Sequence, residues 1–411
     1  MALYSYSLKQ ESAVIYYGRD LETIPVHSVK PWSTAVVASH TGPNAGLTKL
    51  DLDSTSDPVC EVAGCNDWNM PASFAYGTSL SLYEEDRTQM VTQEVNGTSV
   101  QKPMIVGEPV ADVFGVLVRE NNAILAVADG VNWGKKSRLA ARCGVHAVME
   151  HIGKNIAAIQ SNPDSHTVSQ LLLDSVTRKA QELILKKNAT LTTLSAAVVC
   201  EMEKPGEWGL FVVAVGDSPV YVYCPHSRKV IEVTVGCHSH NGDRDMRMAG
   251  GVLGPSLGSQ PDLSNLTVAY TPVYPGDIVF CTSDGVSDNF SSKVMNPLVG
   301  DSHETKVGLC SKQKLKPCCE NVAHMSTVLC KHQEQLSRHL SAQTIASCLI
   351  NHSLETTEQK RQFRSDCIEK NIDIRAKSRT NPEFAAQFKL APGKLDHATV
   401  VAYQVGYYRA Y

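Results

Sequence analysis

Asn122-Ala123-Ile124-Leu125-Ala126-Val127-Ala128-Asp129-Gly130 is an unbroken apolar run that surfaces in a carboxylate and a glycine. A short run of this kind, bounded by polar residues, reads as a strand buried on both faces. The design returns downstream, where Asp277-Ile278-Val279-Phe280-Cys281-Thr282-Ser283 leads into Asp284-Gly285. Valine follows the glycine in both places, as Val131 and Val286. An aspartate where an apolar strand surfaces needs a partner to stay ionised, because an isolated buried charge is strongly penalised. Arginine, backbone donors and a metal ion are the alternatives, and the acids elsewhere in the chain favour a metal.

Working outward, Val110 to Val118 is a second apolar strand, and Arg119-Glu120-Asn121-Asn122 is the polar link that makes a hairpin with the central run. Phe74 to Tyr83 alternates polar and apolar residues, as a first hairpin arm would. After Gly134 the period becomes helical, with Ser137 as a cap and Leu139, Cys143, Ala147, Met149 and Ile152 on one face. A second amphipathic helix is expected from Thr167 to Lys187, its last turn closed by lysines that suit the helix dipole. Strands follow at 194–200, 209–215, 220–223 and 229–235, with links short enough for an antiparallel meander. Further strands are expected at 267–270, 278–282 and 398–405, and a helix at 333–350 with a charged continuation at 354–376. Ala13 to Tyr17 reads as a strand, and Ser39 to Asp57 as a loop. The two blocks of helices between antiparallel strands, without a GxGxxG or P-loop motif, give a layered α+β class.

The chain has 411 residues, 43% of them hydrophobic and 19% charged, which is a globular composition. A net charge of -4 leaves no basic excess for nucleic acid, so no nucleic-acid partner is expected. No apolar run approaches the ~20 residues that span a bilayer, so no membrane partner is expected either. The first residues lack a basic region followed by an apolar core, hence no signal peptide is expected. Thirteen cysteines, several inside apolar runs, read as reduced thiols of a cytoplasmic protein, with a nuclear setting also compatible. Cys310, Cys318 and Cys319 lack the paired spacing of a zinc site.

Acids recur where apolar strands end. Asp112 lies in the arm beside the central strand, Asp129 ends that strand, and Asp217 follows Val212-Val213-Ala214-Val215-Gly216. Asp284 and Asp288 follow the Ile278 strand, and Asp396 precedes the last one. Hard cations such as Mg²⁺ and Mn²⁺ take oxygen ligands, so aspartates and a backbone carbonyl suit them. The glycine after Asp129 leaves its carbonyl approachable. Any single Asp-Gly is also a common turn dipeptide.

The order of the pieces adds what single motifs lack. Ala111-Asp112-Val113-Phe114-Gly115, Ala128-Asp129-Gly130, Thr193-Leu194-Ser195-Ala196-Ala197-Val198 and Val215-Gly216-Asp217-Ser218 come first. Arg247-Met248-Ala249-Gly250-Gly251, Thr282-Ser283-Asp284-Gly285-Val286-Ser287-Asp288 and Asp396-His397-Ala398-Thr399 follow. Together, over about 75–406, the chain resembles the type 2C, metal-dependent (PPM) protein phosphatase family. The resemblance implies a four-layer α-β-β-α sandwich with two antiparallel sheets, and a two-metal Mg²⁺ or Mn²⁺ site at one end. It implies metal positions at Asp112, Asp129, Gly130 through its carbonyl, Asp284 and Asp396, with Asp217 and Asp288 at a weaker third-metal position. Asp129 and Asp284 are the expected catalytic anchors. The implied reaction is hydrolysis of phosphoserine and phosphothreonine in a phosphoprotein substrate, and residues 239–260 correspond to a flap bordering the site. In domain terms, 1–70 is expected as a partly irregular N-terminal extension and 71–411 as the phosphatase-like domain. A polar insertion at about 296–390 is a potential surface for a protein partner.

Departures from the family pattern set up a rival. Val131 stands where the family usually has a histidine, Ala111 where it has a glutamate, Gly107 where it has a phosphate-binding arginine, and His397 where asparagine is usual. Glycine cannot imitate a two-pronged guanidinium contact. The alternative is therefore a catalytically impaired pseudophosphatase that acts as a protein-binding module. His238 and His240, in the flap, are better placed as substitute acids than His146 and His151 on the helix face. Trp133 and Lys135 flank the metal loop as a packing or substrate-facing pair.

Overall fold

The central run does face two cores. Ile124, Ala126 and Ala128 pack into one apolar cluster, and Ala123, Leu125 and Val127 into another. The computed structural model describes residues 15–43, 69–83, 88–95, 98–105, 107–159, 161, 163–234, 249–297, 317–336, 340–370 and 372–409. In chain order the strands are β1 (Tyr16–Gly18), β2 (Val36–Gly42), β3 (Asn69–Met70), β4 (Ala75–Ser81), β5 (Thr88–Val95), β6 (Thr98–Ile105), β7 (Val113–Arg119), β8 (Asn122–Ala128), β9 (Leu194–Glu201), β10 (Trp208–Val215), β11 (Val220–Cys224), β12 (Lys229–Glu232), β13 (Val252–Leu257), β14 (Gln260–Asp262), β15 (Thr267–Val273), β16 (Ile278–Thr282) and β17 (His397–Gln404).

One sheet has the order β1-β15-β10-β9-β8-β7-β2-β3, and the other β12-β11-β16-β17-β4. All their described pairings are antiparallel. β5 with β6 and β13 with β14 are separate hairpins. Side chains alternate along each buried strand, as the pleat requires. Leu210, Val212 and Ala214 of β10 meet Val279 and Cys281 of β16 and Val401 and Tyr403 of β17 between the sheets. Phe211, Val213 and Val215 point to the other face, into the cluster beneath the helices to which α1 (Lys135–Lys154) contributes Leu139, Cys143, Val148 and Ile152.

The rest of that helical layer is α2 (Ile156–Ile159), α3 (Ser165–Asp174) and α4 (Gln181–Lys186), the last two joined through a π-helical turn at Ser175–Ala180. Asp164 caps α3 by accepting from the Thr167 backbone N–H. The second sheet is followed by the short α5 (Asp284–Ser287) and α6 (Ser292–Met295). It is covered by α7 (Pro317–Leu336) and α8 (Ala342–Glu369), and α9 (Ile374–Thr380) and α10 (Pro382–Leu390) complete the chain's helices among the described residues. Ile345, Ala346 and Leu349 of α8 pack with Ile278, Phe280, Ala398, Val400 and Ala402. The layers therefore run α-β-β-α.

Several boundaries differ from the sequence reading. The 1–70 extension contributes β1, β2 and β3 to the larger sheet, with Tyr16 opposite Tyr270 and Thr41 opposite Gly115. The 74–83 arm pairs, as β4, with β17 rather than with its neighbour in sequence. The helix expected at 333–350 is two helices, broken between Leu336 and Ala342, and α8 runs on through the charged continuation. Much of the stretch expected as an insertion is thus a layer of the sandwich. Ser137 does not cap α1; Gly134 does so with φ 106, and the Ser137 hydroxyl donates to the Val131 carbonyl at 2.8 Å. Cys310, the Cys318 and Cys319 side chains, His238, His240, Arg247 and Met248 lie outside the described residues.

Asp277 shapes the turn that launches β16. It is buried, its Oδ2 accepts from the Tyr274 N–H at 3.0 Å, and burial pushes its pKa up to about 6. Because that lies above the ordinary carboxyl value, the folded chain binds more protons than the unfolded one between about pH 4 and 6, and stability falls as pH rises through that window. Urea titrations should show Asp277→Asn removing this contribution, worth about 1–3 kcal/mol by pH 7. Parallel wild-type and variant profiles from pH 4 to 7 would contradict it.

Candidate active site

Five chain segments deliver acids to one end of the sandwich, and small residues and hydroxyls bring them together. Asp129 follows β8, and its backbone is held by adjacent threonines. Its N–H donates to Thr193 Oγ1 at 3.0 Å, and its carbonyl accepts from the Thr193 N–H and Thr192 Oγ1, each at 2.8 Å. Thr193 Oγ1 then meets Ser218 Oγ at 2.8 Å, and the Ser195 hydroxyl donates to the Ser218 carbonyl. This hydroxyl ladder fixes Asp217, next to Ser218, beside Asp129. Gly216 permits the crossing: with φ 103, a Cβ there would lie 2.5 Å from Thr193 Cβ.

Glycine answers a different need at Gly130 and Gly285. A Cβ on Gly130 would meet the Ser137 carbonyl oxygen at 2.4 Å, and one on Gly285 the His397 carbonyl oxygen at 1.8 Å. The second contact lets the start of α5 touch the start of β17, so Asp284 comes beside Asp396. Ser283 reinforces the junction: its N–H donates to the Thr399 carbonyl at 3.0 Å, and its Oγ accepts from the Thr399 N–H at 3.0 Å.

His397 ties in the remaining acid. Its Nδ1 accepts from the Ala111 N–H at 3.3 Å and its Nε2 lies 2.7 Å from the Gly107 carbonyl, which assigns the neutral Nε2–H tautomer. The loop before β7 is thus pinned to β17, and Asp112 is buried beside Asp284. Neither Asp112 oxygen has a well-formed hydrogen bond, although the Ser283 and Thr399 hydroxyls lie near.

The acids feel one another. Burial raises the Asp129 pKa well above the ordinary carboxylate value, and Asp112, Asp284, Asp396 and Asp217 each raise it further. Burial also raises Asp112. Asp396 is pushed up to about 6 by burial and by Asp284, against the pull of Lys394. All the predicted site residues therefore fall in one region, in two subsets. Asp112, Asp129, Gly130 and Asp217 form one side, and Asp284, Asp288 and Asp396 converge on the amine of Lys394.

Lys394, Thr192, Thr193, Ser195, Ser218, Ser283 and Tyr83 were not singled out from sequence. Only the serines and threonines of the quoted motifs carried any signal. Tyr83 packs against Trp133 with ring centroids 5.3 Å apart, and the Arg364 guanidinium lies 5.3 Å over its ring. It also fills the place beside Gly107, where a Cβ would lie 2.7 Å from its Cδ2. His146 and His151 lie on α1 and pair with Glu150 and Asp174.

Among the described residues no three His, Cys, Asp or Glu side chains are arranged so as to hold an ion by themselves. The fit to a hard cation is therefore partial. The buried, poorly bonded Asp112 carboxylate and the strongly repelled Asp129 carboxylate fit one ion on their side. The other three acids already hold an ammonium.

A family model described as protein phosphatase 2C matches residues 102–316, which include Asp112, Asp129, Asp217, Asp284 and Asp288 but not Asp396. A Drosophila melanogaster PP2C-like domain-containing protein is 43% identical over 251 residues, 60% of this chain and 32% of the relative. The chain thus spans about a third of the length of the curated relative it matches. Among solved structures, the S. agalactiae serine/threonine phosphatase is similar at 12% identity, covering 80% of this chain and 99% of its own, with TM-score 0.38. The Mycobacterium tuberculosis serine/threonine phosphatase matches at 12% identity over 81% and 98%, with TM-score 0.33.

The steric argument at Gly285 has a direct test. Gly285→Ala must push the α5 and β17 backbones apart, which typically costs about 1–3 kcal/mol or more. Urea unfolding measures this, and a variant within about 0.5 kcal/mol of wild type would contradict the contact.

Proposed function

The chain belongs to the protein phosphatase 2C family, and from that premise we propose that it is a divalent-metal-dependent hydrolase of phosphoserine and phosphothreonine in proteins. The observation that carries the reading is the convergence of Asp112, Asp284, Asp396 and Asp217 on the buried Asp129, whose pKa is raised first by burial and then by these neighbours. Such a cluster needs positive charge. Asp129, Asp112 and the Gly130 carbonyl are the donors proposed for Mg²⁺ or Mn²⁺, while Asp284 lies against the Lys394 ammonium. The bound cation would supply Lewis-acid activation of water and neutralise the phosphoryl oxygens.

The chain's own residues make the reaction slow. Val131 has no proton to give a leaving alkoxide, and His397 spends both ring nitrogens on backbone groups. Absence of a positioned general acid typically costs about 10²–10⁴ in rate. The phosphate clamp is not at its family position: Gly107 stands there, and Ser81 Oγ and the Tyr83 ring fill the space beside it. Those observations favour a second reading, a pseudophosphatase that keeps the sandwich and binds a protein partner. A cytoplasmic or nuclear setting fits either; no described helix is long and apolar enough to cross a membrane.

An assay with a phosphothreonine peptide and Mn²⁺ separates the readings. Wild type should turn over slowly. Asp129→Asn should fall by more than the roughly 10- to 100-fold that loss of a supporting contact costs at metal sites. Equal background in both proteins would sink the enzyme and leave the binding module.

A further inference from the structure

Lys394 sits two residues before Asp396, in Ala391-Pro392-Gly393-Lys394-Leu395-Asp396. Its backbone is clamped by one buried side chain: Asn289 Oδ1 accepts the Lys394 N–H at 2.8 Å, and Asn289 Nδ2 donates to the Lys394 carbonyl at 3.0 Å. The same Nδ2 donates to the Gly285 carbonyl at 2.7 Å, so the clamp is anchored beside Asp284. Gly393 is held in turn by the Val294 carbonyl at 3.0 Å and by the Lys360 ammonium, and its φ of 94 suits glycine.

From this base the Lys394 amine reaches Asp284 Oδ2, Asp288 Oδ2 at 3.0 Å and Asp396 Oδ2 at 3.2 Å. Asp288 is almost wholly enclosed, and Asp284 and Lys394 largely so. An ammonium has three donors and no acceptor, so three carboxylates match its valence. The same lone pairs are the ones a hard divalent ion would take, and two cations cannot share them at close range.

We propose that Lys394 is a built-in cation that takes one of the two metal positions, holding Asp284, Asp288 and Asp396 together without an ion and restricting divalent binding to the Asp112–Asp129 side. The restriction to that side rests on the metal reading above. The lysine acts as a positioning residue: it sets the geometry of Asp284 and the charge of the centre, and it releases the second position only if it swings away.

The test is Mn²⁺ uptake by the full chain, measured by calorimetry and by metal analysis after desalting, together with melting in EDTA. Lys394→Gln keeps much of the stem and removes the charge; Lys394→Arg keeps the charge. Lys394→Gln should take up one more Mn²⁺ per chain than wild type, or bind its weakest ion about tenfold tighter or more, the scale on which supporting contacts act at metal sites. It should also melt lower than wild type in EDTA and recover with Mn²⁺, while Lys394→Arg behaves as wild type. If Lys394→Gln folds only with Mn²⁺, that too supports the assignment. Unchanged stoichiometry, affinity and metal-free melting in Lys394→Gln would overturn it. Turnover does not enter this readout, so ion gain without phosphatase activity sinks the enzyme and keeps the lysine, and activity without ion gain does the reverse.

Discussion

Like charges brought to one end of a sandwich set the terms for this molecule. Two carboxylates about 4 Å apart repel by roughly 4 kcal/mol at an effective dielectric near 20. A domain has only about 5–15 kcal/mol of net stability. Acids from five segments cannot all stay charged together without a cation, and at Asp129 this repulsion adds to burial in raising the pKa. The Lys394 ammonium relieves part of it, and a divalent ion is proposed for the rest. On this account the apolar sheets are the frame that makes the crowding tolerable.

The frame positions the acids through contacts that leave no room to drift. Gly285 against the His397 carbonyl, the Thr193–Ser218–Ser195 ladder and the two backbone bonds of His397 each join segments far apart in sequence. His397 illustrates how one position can change its task. It stands where an asparagine would be usual for the family, and here it staples the Gly107–Ala111 loop to the last strand. Gly107 does likewise, since the space a larger side chain would need is occupied by Tyr83.

The strands were the most legible part of the sequence, because β7 to β10, β16 and β17 are apolar on both faces and each has an acid at or near one end. The hairpin of β7 with β8 was readable from Arg119-Glu120-Asn121-Asn122. The pairing of β4 with β17 was not, since partners more than 300 residues apart leave no local mark. β1 and β3 are too short to carry a period, so the first 70 residues looked irregular. α8 looked like a charged appendage because its second half is rich in charged residues and only partly buried, while its first half buries Ile345, Ala346 and Leu349 against the second sheet. The acids were found because carboxylates at strand ends are unusual. Lys394 was missed because a lysine two residues from an aspartate is ordinary until the turn around Gly393 and the clamp of Asn289 aim it.

Diffraction from crystals soaked in Mn²⁺, with anomalous data collected at the manganese edge, addresses the central claim most directly. The account predicts an anomalous peak bounded by Asp129, Asp112 and the Gly130 carbonyl, with the Lys394 amine still seated on Asp284, Asp288 and Asp396. No peak anywhere near Asp129 would contradict it, as would an ion among those last three acids with the lysine unmoved.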